Sequence, residues 1–181
     1  MKNILITGDI KTGKSTLAKA IACQMGIPAS GFLTLPYFEK GKREGFFLSK
    51  WGESPLYEPE NQYHKIFCLY DEKRDFAVKT QVFESFGVQL AREALQSNKQ
   101  LVVIDELGFM ERKATSFQEE ILKLLDSRKQ VIAVVKPKKT AFLDAVRSKG
   151  ILFDLDRQYA EDIMMEVNEM LIKRNNLYCV G

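Results

Sequence analysis

The sequence contains one histidine, His64, in 181 residues. A histidine-based catalytic triad or a multi-histidine metal site therefore has almost nothing to be built from. His64 sits in the polar stretch "NQYHKIF" and reads as a surface residue. Cysteine is nearly as scarce. Cys23, Cys68 and Cys179 are an odd, scattered set without C-x-x-C spacing. That argues against a disulfide framework or a zinc site and points to a reducing, cytoplasmic setting. No apolar run approaches the roughly 18 to 20 residues that span a bilayer, so no membrane partner is expected. The opening "MKNILITGDI" carries one lysine and turns at once into Gly8-Asp9. It reads as a first strand, not as a signal peptide. The net charge of +3 is too small to argue for nucleic acid. The short basic run "KPKK" (136–139) reads as a solvated loop. No internal repeat or low-complexity tract is present.

The residues that are plentiful suit an ordinary globular protein: 45% apolar and 28% charged. The length predicts a single domain over 1–181. "NILIT" (3–7), "LVVID" (101–105) and "QVIAVV" (130–135) are apolar runs of the kind that form strands buried on both faces. Between them, apolar residues recur at helical spacing over Ser15–Met25 and over Gln81–Ser97. "GFLTLPYF" and "GFFLSKW" flank "EKGKRE", which predicts a hairpin with Gly41 at its tip. Residues 51–75 predict only loop or short strands. Ser116 and Glu119 have capping-box spacing ahead of an apolar helix. "TAFLDAVRSK" predicts a short helix closed by Gly150, "ILFDL" a last strand and Ala160–Lys173 a last helix. Alternating strands and helices imply an α/β fold, a mainly parallel sheet flanked by helices.

The chemistry is concentrated where the first strand meets the first helix. "GDIKTGKST" fits the pattern G-x-x-x-x-G-K-S of a phosphate-binding P-loop. A polyphosphate needs several backbone N–H groups turned inward, and glycine lets the backbone come close. The following helix adds its positive dipole end. Gly8, Asp9, Ile10, Lys11, Thr12, Gly13, Lys14, Ser15 and Thr16 are thus the candidate nucleotide-binding residues. Lys14 offers a charge to the outer phosphates and Ser15 a hydroxyl to Mg²⁺. "LVVIDELG" supplies the complement. Its apolar run carries Asp105 and Glu106 to the carboxyl end of a strand, where open α/β sheets bind ligands. Asp105 there can serve the same Mg²⁺ as Ser15. Glu106 can deprotonate a water aimed at the γ-phosphate, which favours hydrolysis. A small-molecule or nucleotide kinase using ATP is the alternative, since it shares this fold and length. A nucleotide-controlled binding module is a third reading.

The order of these stretches resembles the small P-loop nucleoside triphosphatases of the thermophile type, which include a cancer-related human member. The matching stretches are "GDIKTGKSTL", "GFLT", "KREGFFL", "FAVKTQVFESFGVQLAREAL", "VVIDELGFMERKATSF", "VIAVVKPK" and "ILFDL". "DELGFME" is far more specific than the loop. The resemblance implies a P-loop fold of the additional-strand class, in which another strand separates the loop strand from the Asp-Glu strand, together with the inserted β-hairpin. It also implies Mg²⁺-dependent hydrolysis of ATP, GTP and other nucleoside triphosphates. Lys14 would bind phosphate, Ser15 and Asp105 the metal, and Glu106 would be the base. Glu111 matches the family's second acidic position. Arg43, on the hairpin's return, matches a family arginine that could face the phosphates.

The chain departs from the family in three places. "LPYF" (35–38) stands where acidic residues and an arginine are usual, and "DRQYAED" (156–162) lacks an Asn-Arg pair, with Arg157 displaced. Lys11 stands at a common glycine position. It reads as a solvated side chain, with a second cation near the bridging oxygen as the sharper alternative. Phe46, Phe47 and Trp51 read as sheet packing, and Met164, Met165 and Met170 as core fillers.

Overall fold

The most apolar strands face two ways, and that sorts the core into two layers. Side chains alternate across a strand. In β1 (Asn3–Thr7), Ile4 and Ile6 join one buried cluster and Leu5 the other. In β6 (Leu101–Leu107), Leu101 and Val103 part in the same way from Val102 and Ile104. In β7 (Gln130–Val135), Ile132 and Val134 part from Val131, Ala133 and Val135. A helical layer must therefore cover each face.

The computed structural model describes residues 2–53, 65–73 and 75–178. The remaining elements run in chain order. They are α1 (Lys14–Gln24), the hairpin β2 (Ala29–Glu39) and β3 (Lys42–Lys50), β4 (Ile66–Tyr70), and β5 (Phe76–Val78). Next come α2 (Thr80–Val82) and α3 (Val88–Gln96), then α4 (Thr115–Leu125) after β6. After β7 follow α5 (Ala141–Arg147), β8 (Gly150–Asp154) and α6 (Ala160–Tyr178). The strands form one sheet in the order β5-β4-β3-β2-β6-β7-β1-β8. From β2 to β8 the pairings are parallel, and from β2 to β5 they are antiparallel. The hairpin is continuous with this sheet: β2 pairs with both β6 and β3. One strand, β7, lies between β1 and β6. Helices α1 and α6 cover one face, while α3, α4 and α5 cover the other.

Several local features differ from the sequence expectations. The helix expected over 81–97 is interrupted by a π-helical turn, Phe83–Gly87. Gly87 lies so close to α4 that a Cβ there would sit 2.9 Å from the Phe117 ring, which explains the glycine. Gly150 does not close α5, which ends at Arg147 with Ser148 as its C-cap; it opens β8 and pairs with Asn3. Met164 and Met170 pack on the core, but Met165 is 59% exposed. His64 and Cys179 lie outside the described residues, as do residues 54–64 of the uncertain stretch.

The capping box also fails. Helix α4 starts two residues earlier than the box requires, with Ala114 at its N-cap and no side-chain cap. The Ser116 amide instead donates to Glu84 Oε1, 3.0 Å away on the π-helical turn. A carboxylate at a helix N-terminus satisfies an orphan donor and opposes the dipole. Glu84→Ala is therefore expected to lower stability by about 1 kcal/mol. Ser116→Ala, whose hydroxyl is not the cap, should change it by less than about 0.5 kcal/mol. Urea denaturation of the two variants measures both values; a larger loss from Ser116→Ala would restore the capping box.

Candidate functional site

Six residues connect Thr7 at the end of β1 to Lys14 at the start of α1. Gly13, at the N-cap, has φ 90, a left-handed conformation that glycine adopts without penalty. No side chain caps α1, so its first amides and the positive end of its dipole remain available to an anion. Lys11 also has a positive φ, 67, so the lysine bends the loop where glycine would bend it more cheaply. Lys14 Nζ donates to the carbonyl of Asp9 and lies 3.4 Å from Thr12 Oγ1. The Asp9 amide donates to both carboxylate oxygens of Asp156 at 3.0 Å. The turn after β8 thereby steadies the beginning of the loop.

Ser15 Oγ reaches across β7's position in the sheet and donates to Asp105 Oδ1 at 2.7 Å. Asp105 is buried. Burial pushes its carboxyl above the usual range, while the Ser15 hydrogen bond and Lys19 pull it back. The pairing of β6 with β7 slips at this point. Ile104 faces Ala133 and Leu107 faces Val135, so Asp105 and Glu106 together oppose Val134 alone. This is a β-bulge, a device that re-aims side chains and is common beside active sites. Glu106 has φ 90, a strained conformation for a residue with a Cβ. Its carboxylate pairs with Lys136 Nζ at 2.9 Å.

These groups line one cleft of about 950 Å³. Of the expected site residues, Gly8, Asp9, Ile10, Lys11, Gly13, Lys14, Ser15, Thr16, Arg43 and Glu106 line it. Thr12 turns its hydroxyl to the Asp9 carbonyl at 2.9 Å, and Asp105 lies beneath the cleft, behind Ser15. Arg43 reaches the cleft from β3, its guanidinium 5.6 Å from the centre of Phe46 and 5.8 Å from that of Tyr70. Phe46 therefore packs on the core and borders the cleft as well. Arg157 stays outside, largely exposed and 3.6 Å from Asp154.

Lys136 and Asp156 are among the residues at the site that were not expected. Lys136 belongs to the run read as a solvated loop, yet it lines the cleft and holds Glu106. The available signal was its position: it directly follows the buried strand β7, at the same carboxyl end of the sheet as Asp105. Asp156 offered no such signal, because its partner is a backbone amide 147 residues away.

Among the described residues, no group of three or more His, Cys, Asp or Glu side chains could hold a metal ion by itself. That is compatible with Mg²⁺ held by one or two protein oxygens and completed by substrate phosphates. Ser15 Oγ and Asp105 Oδ1 are hard oxygen donors already in contact.

A glycine-bearing loop between a strand and a helix, with acidic residues ending a strand one place removed, defines an α/β protein of the P-loop NTPase-like fold. A family model described as NTPase matches residues 3–168. The nucleoside-triphosphatase THEP1 of Thermotoga petrophila is 31% identical over 169 residues, 91% of this chain and 89% of that protein. Its counterpart in Thermofilum pendens is 32% identical over 155 residues, 83% and 81% of the two chains. The crystal structure of THEP1 from Aquifex aeolicus matches with a TM-score of 0.65 at 26% identity, covering 91% of this chain and 98% of that one. The solution structure of a human cancer-related nucleoside triphosphatase shares the fold. Its TM-score is 0.67 at 18% identity, over 94% and 97% of the chains. The chain belongs to the THEP1-type family of small NTPases.

Glu111, three residues beyond the glycine of "DELG", is buried and accepts the Gly108 amide at 3.0 Å. Burial, reinforced by the charge of Glu106, pushes its carboxyl from 4.5 up to about 7. Because the folded chain holds this proton more tightly than the unfolded chain, stability contributed here falls as pH rises from 4.5 to about 7. The fall should amount to a few kcal/mol, on the order of 1.4 for each pH unit of the window. Glu111→Gln keeps an acceptor for Gly108 and cannot titrate. Denaturation midpoints at pH 5 and pH 8 should converge between variant and wild type at the lower pH and favour the variant at the higher. An equal difference at both values would contradict the assignment.

Proposed function

We propose that the protein hydrolyses nucleoside 5′-triphosphates, ATP and GTP among them, to diphosphate and phosphate in a Mg²⁺-dependent reaction. On this proposal residues 1–181 form one P-loop nucleoside triphosphatase domain of the additional-strand class. The observation that carries it is the 2.7 Å hydrogen bond from Ser15 to Asp105. It joins the loop to the acidic strand end, so that a phosphate on the first lies beside the carboxylates of the second.

Each residue then has a distinct task. The loop amides and the start of α1 bind the phosphate chain. Phosphate oxygens are stronger acceptors for Lys14 than the Asp9 carbonyl it now contacts, because both partners are charged. Ser15 and Asp105 would hold Mg²⁺, which when bound neutralises charge on the outer phosphates. Glu106, turned out of the sheet by the bulge, accepts the proton of the attacking water. Lys136 orients that carboxylate through the ion pair at 2.9 Å. Arg43, on the cleft wall, stabilises charge on the transferred phosphoryl group.

Glu106→Gln preserves shape and removes the proton acceptor. Single-turnover ATP hydrolysis should fall by roughly a hundredfold or more, while equilibrium nucleotide binding persists. Hydrolysis at the wild-type rate would remove Glu106 as the base. Transfer of phosphate to an added acceptor, with negligible hydrolysis by the wild type, would replace the hydrolase by a kinase. Lys14→Ala is expected to weaken triphosphate binding in a folded protein; unchanged affinity and rate would remove the phosphate-binding role of the loop.

A further inference from the structure

The cleft extends well past the groups that the proposed hydrolysis uses, Arg43 on β3 excepted. Along the sheet, the loop follows β1, Lys136 follows β7 and Glu106 ends β6; then come β2, β3, β4 and β5. Four strand spacings separate β1 from β3, about 19 Å at the usual separation. The far end of the cleft is lined by Arg43, Phe46, Tyr70, Phe76, Phe109 and Met110. Its rings come from β3, β4, β5 and the turn after β6. Phe46 and Tyr70 lie 6.2 Å apart at 60°, and Phe76 and Phe109 lie 5.9 Å apart at 61°. Phe76 is 45% exposed. Rings gathered from four segments and left in contact with water are a costly way to finish a core and a common way to line a ligand pocket.

We infer that this aromatic end is a second binding site, which takes the planar base of a nucleoside monophosphate. Ring faces stack on any nucleobase, and such stacking is largely indifferent to base identity. Arg43, beside Phe46 and Tyr70, places positive charge next to the rings, which suits an attached phosphate. The assignment to a second molecule rests on the proposed hydrolysis. In an in-line displacement the attacking and leaving oxygens are on opposite sides of the γ-phosphorus. Glu106, which serves the attacker, lies between the loop and the aromatic wall in the order of the strands. The wall is thus on the attacking side, and the nucleoside of the triphosphate, attached on the leaving side, starts away from it.

Calorimetric titration of the full chain tests this in two stages. The first adds a non-hydrolysable ATP analogue with Mg²⁺, and the second adds AMP or GMP to the saturated complex. The expected result is saturable monophosphate binding with the analogue in place. Phe76→Ala combined with Tyr70→Ala should weaken that binding on the order of tenfold and leave analogue affinity unchanged. Phe76→Leu, which keeps an apolar side chain but no ring, should weaken it too. If the analogue binds and the monophosphate either does not bind or merely competes with it, the second site is overturned. If the analogue itself does not bind, the phosphate-loop reading fails instead. Monophosphate binding that survives removal of the rings would also overturn the assignment.

Discussion

The hydrogen bond between Ser15 and Asp105 constrains everything around it. It links the first turn of α1 to the end of β6 across an intervening strand. It can form only if β1 and β6 are held parallel with their carboxyl ends level. The parallel pairing of β1, β7 and β6 meets that condition. The pairing in turn depends on strands that are apolar on both sides and on helices that cover both faces. The bulge at Asp105 and Glu106 then sends two consecutive side chains into different surroundings. Asp105 goes beneath the loop, and Glu106 faces the cleft and Lys136.

Concentrating carboxylates at one strand end has an electrostatic cost, and the neighbouring groups reduce it in different ways. Asp105 takes a hydroxyl hydrogen bond and the field of Lys19 and Lys14. Glu106 takes the ammonium of Lys136. Glu111 is buried deepest and is pushed toward its neutral form, while its oxygen still secures the Gly108 amide. Two lysines, Lys14 and Lys136, therefore border a space between cations and carboxylates. A triphosphate with a divalent cation has the charge distribution that such a space would balance.

Much of this was legible in the sequence because its causes are local or periodic. The loop needs glycine at fixed spacing, and Gly13 does adopt the left-handed conformation. The acidic strand end needs an apolar run before it, and β6 provides one. What was not legible depends on distant partners. Ser116 and Glu119 have the right spacing for a cap, but Glu84 supplies it from another helical segment. Lys136 looked like one member of a basic run until the strand order placed it opposite Glu106. Asp156 reaches a backbone amide of the loop, a contact that leaves no trace in side-chain pattern. The aromatic end of the cleft draws on residues 46, 70, 76 and 109, which converge only when β3, β4 and β5 extend the sheet.

The central claim is that water, directed by Glu106, attacks the γ-phosphorus of a triphosphate held by the loop. Turnover of ATP in ¹⁸O-labelled water reads that event directly. Mass spectrometry of the products from a single turnover should find one labelled oxygen in the inorganic phosphate and none in the ADP. Label in the ADP, or release of phosphate without label, would contradict the account.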